Sequence, residues 1–257
     1  MLSIVTVIHR SAPHLRNLLA SLDENLGDHE LIVVDTGPDD GGAQLARDAG
    51  ATVIALPDNP GFGAANNAGV ERATKAHTAL LNPDVALLDD RLATLTGPGL
   101  HAPRLLGEDS VHPLPGSPRN LLRAITPGPL RSAIGEARPA WATAAALVAP
   151  TETLRRLGPF DPAIFLFSED LDLCLRAREQ GIPLVFHRDV VLAHAGGHST
   201  TEDPAERIRQ HLAVVERRLG AKAARRERRT LLLEHALRAF RARDRAYVRA
   251  IRVGRKP

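Results

Sequence analysis

Two aspartates stand where a carboxylate can meet a ligand. Asp35 directly follows the apolar run 31–34, and Asp84 follows the run 79–81 after Asn82 and one proline. If these runs are neighbouring parallel strands, both carboxylates lie at the carboxyl edge of one sheet, where such sheets bind ligands. A carboxylate there can accept a hydrogen bond from a base or ribose, or hold Mg²⁺ or Mn²⁺, which prefer oxygen ligands. Asn-Pro-Asp also favours a plain turn, and that alternative stays open.

A glycine- and asparagine-rich segment, residues 59–69, follows the third apolar run. Gly61 and Gly63, at a predicted helix start, allow backbone N–H groups to approach a phosphate or sugar closely. Asn66 and Asn67 add amide donors and acceptors one turn later. A dinucleotide-binding fingerprint needs a third glycine at position 66 and a place after the first strand, so NAD binding is disfavoured. A helix packed tightly by small residues is the alternative, but it does not explain the paired asparagines.

Two adjacent acids, Glu169 and Asp170, open another predicted helix. Ser168 is predicted to cap this helix, and Asp172 to complement its dipole or to pair with Arg176 at i, i+4. Glu169 and Asp170 differ from Asp172 because they follow an aromatic, apolar run. Such surroundings remove water from a carboxylate and raise its basicity. A general base is therefore the predicted use of this pair.

A histidine, His194, ends the apolar run 190–193 and precedes two glycines. At a strand end, with glycines that give the chain room to fold over the site, a histidine is well placed to bind a metal or a diphosphate. His198 is predicted to be structural or solvated instead.

These side chains need a scaffold that brings strand ends together. Through the first hundred residues, strand-like apolar runs alternate with segments of helical periodicity. Strands are predicted at 2–8, 31–34, 52–56 and 78–81, and helices at 12–26, 43–49 and 64–74. This alternation predicts an α/β fold with a doubly wound, mostly parallel sheet and helices on both faces.

The pattern changes between residues 101 and 139, where seven prolines predict a loop-rich, acceptor-side excursion outside the core. Regular structure is predicted to resume with a strand at 141–148 and a helix at 152–157. The helix that begins at 168 should stop at Gly181, and 183–186 with 190–193 should form a hairpin-like pair. Beyond residue 204 the chain is predicted to be helical.

Composition narrows the class of protein. The chain has 257 residues, of which 44% are hydrophobic and 25% charged, so one globular α/β unit can bury a substantial core. Cys174 is the single cysteine and closes no internal bridge, and no apolar run has the length of a bilayer crossing. We therefore expect a cytoplasmic protein without a signal peptide.

The charge is divided unevenly along the chain. From Arg217 onward there are fifteen Lys and Arg against three Asp and Glu, a formal charge of +12, whereas the preceding residues sum to −9. Leu233, Leu237, Phe240, Tyr247 and Ile251 follow helical spacing in this tail. A helix docked on the catalytic domain with a solvated basic side is one interpretation, and attraction to anionic phospholipid at the inner face of the membrane is the other. Nucleic-acid binding is disfavoured, because aromatic residues are few and no nucleic-acid module is recognised.

Together the segments resemble the family 2 glycosyltransferases of the GT-A fold, in particular the bacterial rhamnosyltransferase-like group. The resemblance covers residues 2 to about 200 and rests on an ordered set: Val33-Val34-Asp35, Asn59 to Gly63 with Asn67 and Gly69, Leu81 to Asp84, Phe160-Asp161 with Ser168 to Arg176, and His194 with Ser199. It implies a GT-A catalytic domain at 1–204, made of a nucleotide-sugar-binding half at 1–100, the excursion at 101–139 and an acceptor half at 140–204. A basic helical extension at 205–257 would follow.

The resemblance also implies roles for residues on the donor side. Asp35 would contact the pyrimidine base or ribose of a nucleoside-diphosphate sugar. Asn82 and Asp84 occupy the family's Asp-x-Asp position, so Asp84 would be the metal ligand. His194 is similar to the family's late histidine, which completes the coordination of Mg²⁺ or Mn²⁺.

On the acceptor side, Asp170 resembles the catalytic base and Glu169 its neighbour. A base that removes the acceptor hydroxyl's proton during in-line attack gives one displacement and inverts the anomeric centre. The implied donor is dTDP-rhamnose first, and a lipid-linked acceptor is one of several classes left open. A sugar nucleotidyltransferase and a non-catalytic nucleotide-sugar-binding protein remain the alternatives, although the first strand is not followed by a glycine-rich, basic phosphate loop.

Overall fold

The structure is a computed structural model that describes residues 1–196 and 203–242. These residues fall into two compact units. Unit 1 contains residues 1–110 and 142–196, and unit 2 contains residues 111–141 and 203–242. The predictions for His198, Ser199, Tyr247 and Ile251 lie outside the described residues. The division at residue 204 stays a prediction.

The first part of the chain alternates strands and helices. In order, it forms β1 (Leu2–Ile8), α1 (Ala12–Asn25), β2 (Glu30–Asp35), α2 (Gly42–Asp48), β3 (Thr52–Ala55), α3 (Phe62–Arg72), β4 (His77–Leu81), β5 (Val85–Leu87), a 3₁₀ turn (Asp90–Thr94) and β6 (Leu100–Leu106). The elements predicted up to residue 81 are all present, with ends shifted by up to two residues.

The second part continues with β7 (Val111–His112), α4 (Pro118–Ile125), α5 (Pro129–Glu136), β8 (Trp141–Ala142), β9 (Ala146–Pro150), α6 (Thr151–Leu157), α7 (Glu169–Glu179), β10 (Leu184–His194), α8 (Pro204–Leu219) and α9 (Ala221–Ala242). The predicted stop of α7 is confirmed, since Gly181 follows the helix with a φ of 72°. Within the described part of the chain, no helix is long and apolar enough to cross a bilayer.

A mixed sheet dominates unit 1. Its strand order in the described residues is β3-β2-β1-β4-β9-β6-β10-β5. β1 pairs in parallel with β2 and β4, β2 with β3, and β6 with β10, whereas β9 runs antiparallel to β4 and β6, and β5 to β10. The predicted doubly wound, mostly parallel α/β sheet is confirmed.

Helices cover both faces of this sheet, which explains why all seven residues of β1 are buried. Successive strand residues point to opposite faces. Ile8 packs in one cluster with Leu15 of α1, while Val7 packs with Ala65 of α3 in another. The carboxyl ends of β1, β2 and β4 are therefore held by a core on each side.

Residues 101–139, predicted as a loop-rich excursion outside the core, instead contain a largely buried strand and two helices. The strand is β6, whose Leu100 and Leu105 lie in the buried core, and the helices are α4 and α5. Pro103 lies inside β6, opposite His187, where the register of β10 shifts. Proline has no backbone N–H to donate to a neighbouring strand, and a bulge in that strand makes the loss tolerable. A high proline content therefore did not exclude a strand here.

Two further strand predictions were wrong. The two segments predicted as a hairpin-like pair, 183–186 and 190–193, instead belong to one long strand, β10 (Leu184–His194), with an irregularity between His187 and Val191. Residues 141–148 form the short β8 and the start of β9, separated by a turn at 144–145, instead of one strand. That turn matters for the site described below.

Candidate active site

Asp84 lies in a tight turn that is tied to two neighbouring segments. Within the turn, Val85 N donates to Asn82 O at 3.1 Å. Asn82 N donates to Ala145 O at 2.8 Å, and Ala195 N donates to Asp84 O at 3.0 Å. The turn interpretation and the functional interpretation of Asn-Pro-Asp are thus compatible, because the turn holds the Asp84 side chain at the carboxyl edge of the sheet.

His194, the last residue of β10, faces two carboxylates. Its Nε2 lies 3.2 Å from Asp84 Oδ1, and its Nδ1 lies 3.0 Å from Glu108 Oε1. Asp84 and Glu108 together raise the pKa of His194 to about 10. Partial burial alone would raise the pKa of Asp84, but His194 outweighs this and holds it below its usual value. Glu108 was not predicted from the sequence, because β6, which ends just before it, was not predicted.

The arrangement around Asp84 fits a divalent cation. The Asn82 Oδ1 atom is buried and has no hydrogen-bond partner among the described residues, and His194 Nε2, although close to Asp84, makes no well-directed hydrogen bond there. Buried polar atoms without partners are costly, and an ion or ligand is one way to satisfy them. No group of three or more His, Cys, Asp or Glu in the described residues is arranged to hold a metal alone. A cation here would need substrate oxygens, as is usual for Mg²⁺ and phosphates.

Asp170 is fixed at the start of α7. Its Oδ1 accepts from Leu171 N at 2.7 Å, and its Oδ2 accepts from Ala144 N at 3.4 Å. The two residues before Glu169 have left-handed backbones, with φ of 67° at Phe167 and 68° at Ser168. Such conformations cost on the order of 1–3 kcal/mol each and concentrate at functional sites.

Ser168 does not cap α7 in the predicted way. It occupies the N-cap position, but its left-handed backbone leaves the side chain without a capping hydrogen bond. The predicted pairing of Asp172 with Arg176 is confirmed: this fully buried acid lies 2.8 Å from Arg176 Nε. Arg176 also donates to Leu157 O and to Pro159 O. Asp172 is thereby a structural acid, while Asp170 stays partly exposed.

The turn between β8 and β9 joins the two halves of the site. Ala144 N contacts the Asp170 carboxylate, and the next residue, Ala145, accepts a hydrogen bond from Asn82 N. Asp170 and the Asp84 turn are therefore anchored to adjacent residues of one short segment. The structure brings together four predicted residues, namely Asn82, Asp84, Asp170 and His194.

The glycine- and asparagine-rich segment makes contacts inside unit 1. Asn67 binds both backbone groups of Phe160, at 2.8 Å to its oxygen and 2.9 Å to its nitrogen. Asn66 is buried and donates to Phe62 O at 3.0 Å. Gly61 has a φ of 95° and lies so close to the Phe165 backbone that a Cβ would collide with it.

Gly63 is similarly close, since a Cβ there would lie 2.8 Å from Phe160 Cβ. The close-packing alternative therefore has direct support in these contacts. Glu169, which is buried, lies beside the same glycine. The segment positions the loop that leads to Glu169 and Asp170, and its role as a donor ligand stays a prediction.

Asp35 ends β2, and its Oδ1 accepts from Gly37 N at 3.1 Å. It pairs across the sheet with Ile8, at the end of β1. Beside these strand ends lies an open cavity of about 620 Å³ lined by residues that include Arg10, Arg16 and Asp40. Arg10 itself has a left-handed backbone, with φ of 53°. Arg10 and Arg16 were not predicted from the sequence as binding residues, because no distinguishing pattern surrounds them.

Two family profiles match this chain. The profile of "Glycosyl transferase family 2" matches residues 3–98, and that of "Glycosyltransferase like family 2" matches residues 129–216. The chain belongs to the family 2 glycosyltransferases. This membership favours a glycosyltransferase over the nucleotidyltransferase alternative.

A curated relative of this glycosyltransferase is the N-acetylglucosaminyl-diphospho-decaprenol L-rhamnosyltransferase of Mycobacterium tuberculosis. The two are 27% identical over 250 residues, which cover 82% of this chain and 81% of the relative. The mannosyltransferase PcManGT of Pyrobaculum calidifontis, solved with GDP-Man and Mn²⁺, has a TM-score of 0.62 at 16% identity, over 98% of this chain and 83% of that one.

Glucosyl-3-phosphoglycerate synthase of M. tuberculosis, solved with Mn²⁺, UDP and glucosyl-3-phosphoglycerate, has a TM-score of 0.57 at 21% identity, over 86% of this chain and 80% of that one. These likenesses confirm the GT-A fold.

Proposed function

We propose that this glycosyltransferase moves a sugar from a nucleoside-diphosphate sugar to an acceptor hydroxyl in one inverting, metal-dependent displacement. The observation that carries the proposal is the shared anchor at Ala144 and Ala145. Ala144 N contacts the Asp170 carboxylate and Ala145 O accepts from Asn82 N, so this carboxylate and the Asp84 turn are anchored to adjacent residues. This chemistry needs one carboxylate that takes the acceptor's proton and another that helps to hold the cation at the donor's diphosphate.

Asp84 and His194 would hold the cation, with His194 as a neutral imidazole when the ion is bound. Bound Mg²⁺ or Mn²⁺ would neutralise negative charge on the donor's diphosphate. Glu108, which contacts the other ring nitrogen of His194, would orient the imidazole. Asn82 Oδ1, buried and without a partner among the described residues, lies in the same turn.

Asp170 would act on the acceptor. Its carboxylate is partly exposed, and Ala144 N and Leu171 N hold its orientation. As the acceptor oxygen forms its bond to the anomeric carbon, the bond from that carbon to the diphosphate breaks and the hydroxyl proton passes to Asp170. Attack on the face opposite the departing diphosphate inverts the anomeric centre.

The donor and acceptor are proposed from the curated relative. That relative is an L-rhamnosyltransferase named for N-acetylglucosaminyl-diphospho-decaprenol, a lipid-linked sugar. We therefore propose dTDP-rhamnose as the first donor to test and a lipid-linked saccharide as the acceptor class. Asp35, next to the cavity that Arg10 and Arg16 line, is proposed to contact the donor's base or ribose.

The decisive test is Asp170→Asn. This change keeps the size of the side chain but removes its ability to accept a proton, so transfer should fall by roughly two to four orders of magnitude. Donor affinity, measured by calorimetry with dTDP-rhamnose and Mn²⁺, should stay within about twofold. Glu179→Gln, at the far end of α7, is the matched control and should keep both values.

A donor panel completes the test. dTDP-, UDP- and GDP-sugars are incubated with Mn²⁺ or with a chelator, and the anomeric configuration of the product is read by NMR. Loss of donor binding in Asp170→Asn would show that Asp170 serves the donor or the fold. Retention of the anomeric configuration, or full turnover with the chelator, would contradict the proposed mechanism.

A further inference from the structure

Helix α4 in unit 2 is oriented with its polar side inward. Asn120 and Arg123 are buried, at 8% and 7% exposure, while Leu121, Leu122 and Ile125 are 41%, 51% and 40% exposed. An amphipathic helix of a water-soluble domain normally buries its apolar stripe. Here the apolar side chains face outward because the polar ones have partners inside.

Those partners fix the orientation. The buried Glu227 of α9 accepts from Asn120 Nδ2 at 2.6 Å and from Gly116 N at 2.6 Å. Its other oxygen lies 3.1 Å from His211 Nε2 of α8. Turning α4 to bury its leucines would take the Asn120 amide away from this buried carboxylate, which is unfavourable. The exposed leucines are a stable feature of unit 2.

The neighbouring helices extend the same pattern. On α5, Leu130 is 68% exposed, whereas the adjacent Arg131 points inward and pairs with the buried Glu234 at 2.7 Å. On α9, Leu233 is exposed although the adjacent Glu234 is buried. We call the exposed apolar face of α4 the apolar patch; its members are Leu121, Leu122 and Ile125, and Leu130 and Leu233 are further exposed leucines on the neighbouring helices.

Exposed arginines lie on α9, in the same unit as the apolar patch. Arg229 and Arg226 stand four and seven residues before Leu233, so they share its face of α9, and both are exposed. Over the described residues of unit 2 there are fifteen Lys and Arg against six Asp and Glu, a formal charge of +9. Exposed apolar side chains in a basic unit match a lipid bilayer, whose interior is apolar and whose headgroup layer can be anionic.

We propose that the apolar patch docks unit 2 on a bilayer that contains anionic phospholipid, with the leucine and isoleucine side chains in the boundary between headgroups and acyl chains. A second copy of the chain is a poorer occupant, because it would bring two strongly basic units together. This inference goes beyond the proposed transfer reaction and does not depend on it.

The test is vesicle flotation of the full chain without donor or acceptor. Vesicles of phosphatidylcholine are compared with vesicles that also contain phosphatidylglycerol, each at low and high salt. The patch variant is Leu121→Gln, Leu122→Gln and Ile125→Gln together, and the charge variant is Arg226→Gln with Arg229→Gln. Leu88→Gln with Leu106→Gln, two exposed leucines of unit 1, is the matched control.

We expect the wild type and the control to bind anionic vesicles, with binding that weakens at high salt. The patch variant should bind at least about tenfold more weakly, and the charge variant roughly fivefold or more. Circular dichroism and thermal melting should be unchanged for all three variants, because the replaced side chains are exposed.

Insertion has its own readout. Leu122→Trp in a Trp141→Phe background should be quenched by brominated phospholipid, and Leu88→Trp in the same background should not. Equal binding of the patch variant and the wild type would overturn the proposal, as would the absence of vesicle binding. A wild type that dimerises in ultracentrifugation, binds no vesicles and becomes monomeric in the patch variant would assign the patch to a second copy instead.

Discussion

The two units use carboxylates in opposite ways. In unit 1, Asp84 and Asp170 lie partly exposed at the carboxyl edge of a sheet whose interior is apolar. In unit 2, Glu227 and Glu234 lie in the interior and bind groups from neighbouring helices, while leucines face outward. The formal charges of the described residues are also opposite, at −10 for unit 1 and +9 for unit 2.

The difference shows that a segment's net charge does not reveal where its charges act. Unit 2 is basic, yet its few acids hold it together. Glu227 joins α8, α9 and the start of α4 through three contacts. Unit 1 is acidic, and its acids divide into structural ones such as Asp172 and partly exposed ones such as Asp84. Substitution of the partly exposed acids should therefore mainly change activity, and substitution of the buried acids should mainly change stability.

The largest effect is expected for Asp84→Ala. Without this carboxylate the cation and the donor's diphosphate lose a ligand, so transfer should fall by about three orders of magnitude or more. Because Asp84 lies partly exposed in a turn held by backbone hydrogen bonds, the fold loses mainly the ion pair with His194, and the melting temperature should fall by only a few degrees. Steady-state kinetics and calorimetric titration of Mn²⁺ with nucleotide measure the two effects.

Asp90→Ala, which removes an exposed acid beyond β5, is the control and should keep full activity. Turnover by Asp84→Ala that is still fully dependent on Mn²⁺ would assign the metal to other ligands. A large loss of stability would place Asp84 with the structural acids and weaken the comparison.

The sequence predicted much of unit 1, because hydrophobic periodicity and turn residues report directly on alternating strands and helices. Asp35, Asp84 and His194 were found as polar residues after apolar runs. Glu108 was missed because β6, the strand that ends just before it, contains Pro103, which is tolerated through a bulge in β10. The bulge lies in β10, far from Pro103 in the sequence, so no local pattern around Pro103 indicates it.

Unit 2 was harder to predict for a different reason. Helical spacing showed that the tail is amphipathic, with Leu233 and Leu237 on one stripe. It did not show that the buried stripe of α9 contains Ala224, Glu227 and Thr230 instead. Periodicity identifies two faces of a helix, but the partners that lie opposite decide which face is buried. Asn120 and His211 are such partners, and both come from other helices.

A smaller effect, on stability alone, is expected for Glu227→Ala. Removing the carboxylate leaves Gly116 N and the Asn120 amide buried without their acceptor, which should cost roughly 3–5 kcal/mol of unfolding free energy. Chemical denaturation and the melting temperature measure this loss.

Glu216→Ala removes an exposed acid of α8 and should cost less than about 0.5 kcal/mol. Glu227→Gln should lie between the two, since its amide oxygen still accepts one of the hydrogen bonds. If Glu227→Ala were as stable as Glu216→Ala, the polar interior of unit 2 would not be the element that orients α4, and the comparison would fail there.

The smallest effect concerns His194, where function and stability overlap. Asp84 and Glu108 raise the pKa of His194 from an ordinary value of 6.5 to about 10. A raised folded pKa stabilises the fold fully below the unfolded value, and the stabilisation is lost as the pH rises towards the folded value. In chelator-treated protein, the unfolding free energy should therefore decline between pH 6.5 and about 10 by about 1–2 kcal/mol more in the wild type than in His194→Gln. Urea titrations across this range measure the difference, and Mn²⁺ with nucleotide should reduce it, because a metal-bound imidazole no longer carries the proton. Parallel pH profiles for the two proteins would mean that the ion pair does not form in solution, and the Asp84 site would then have to be held by its backbone turn alone.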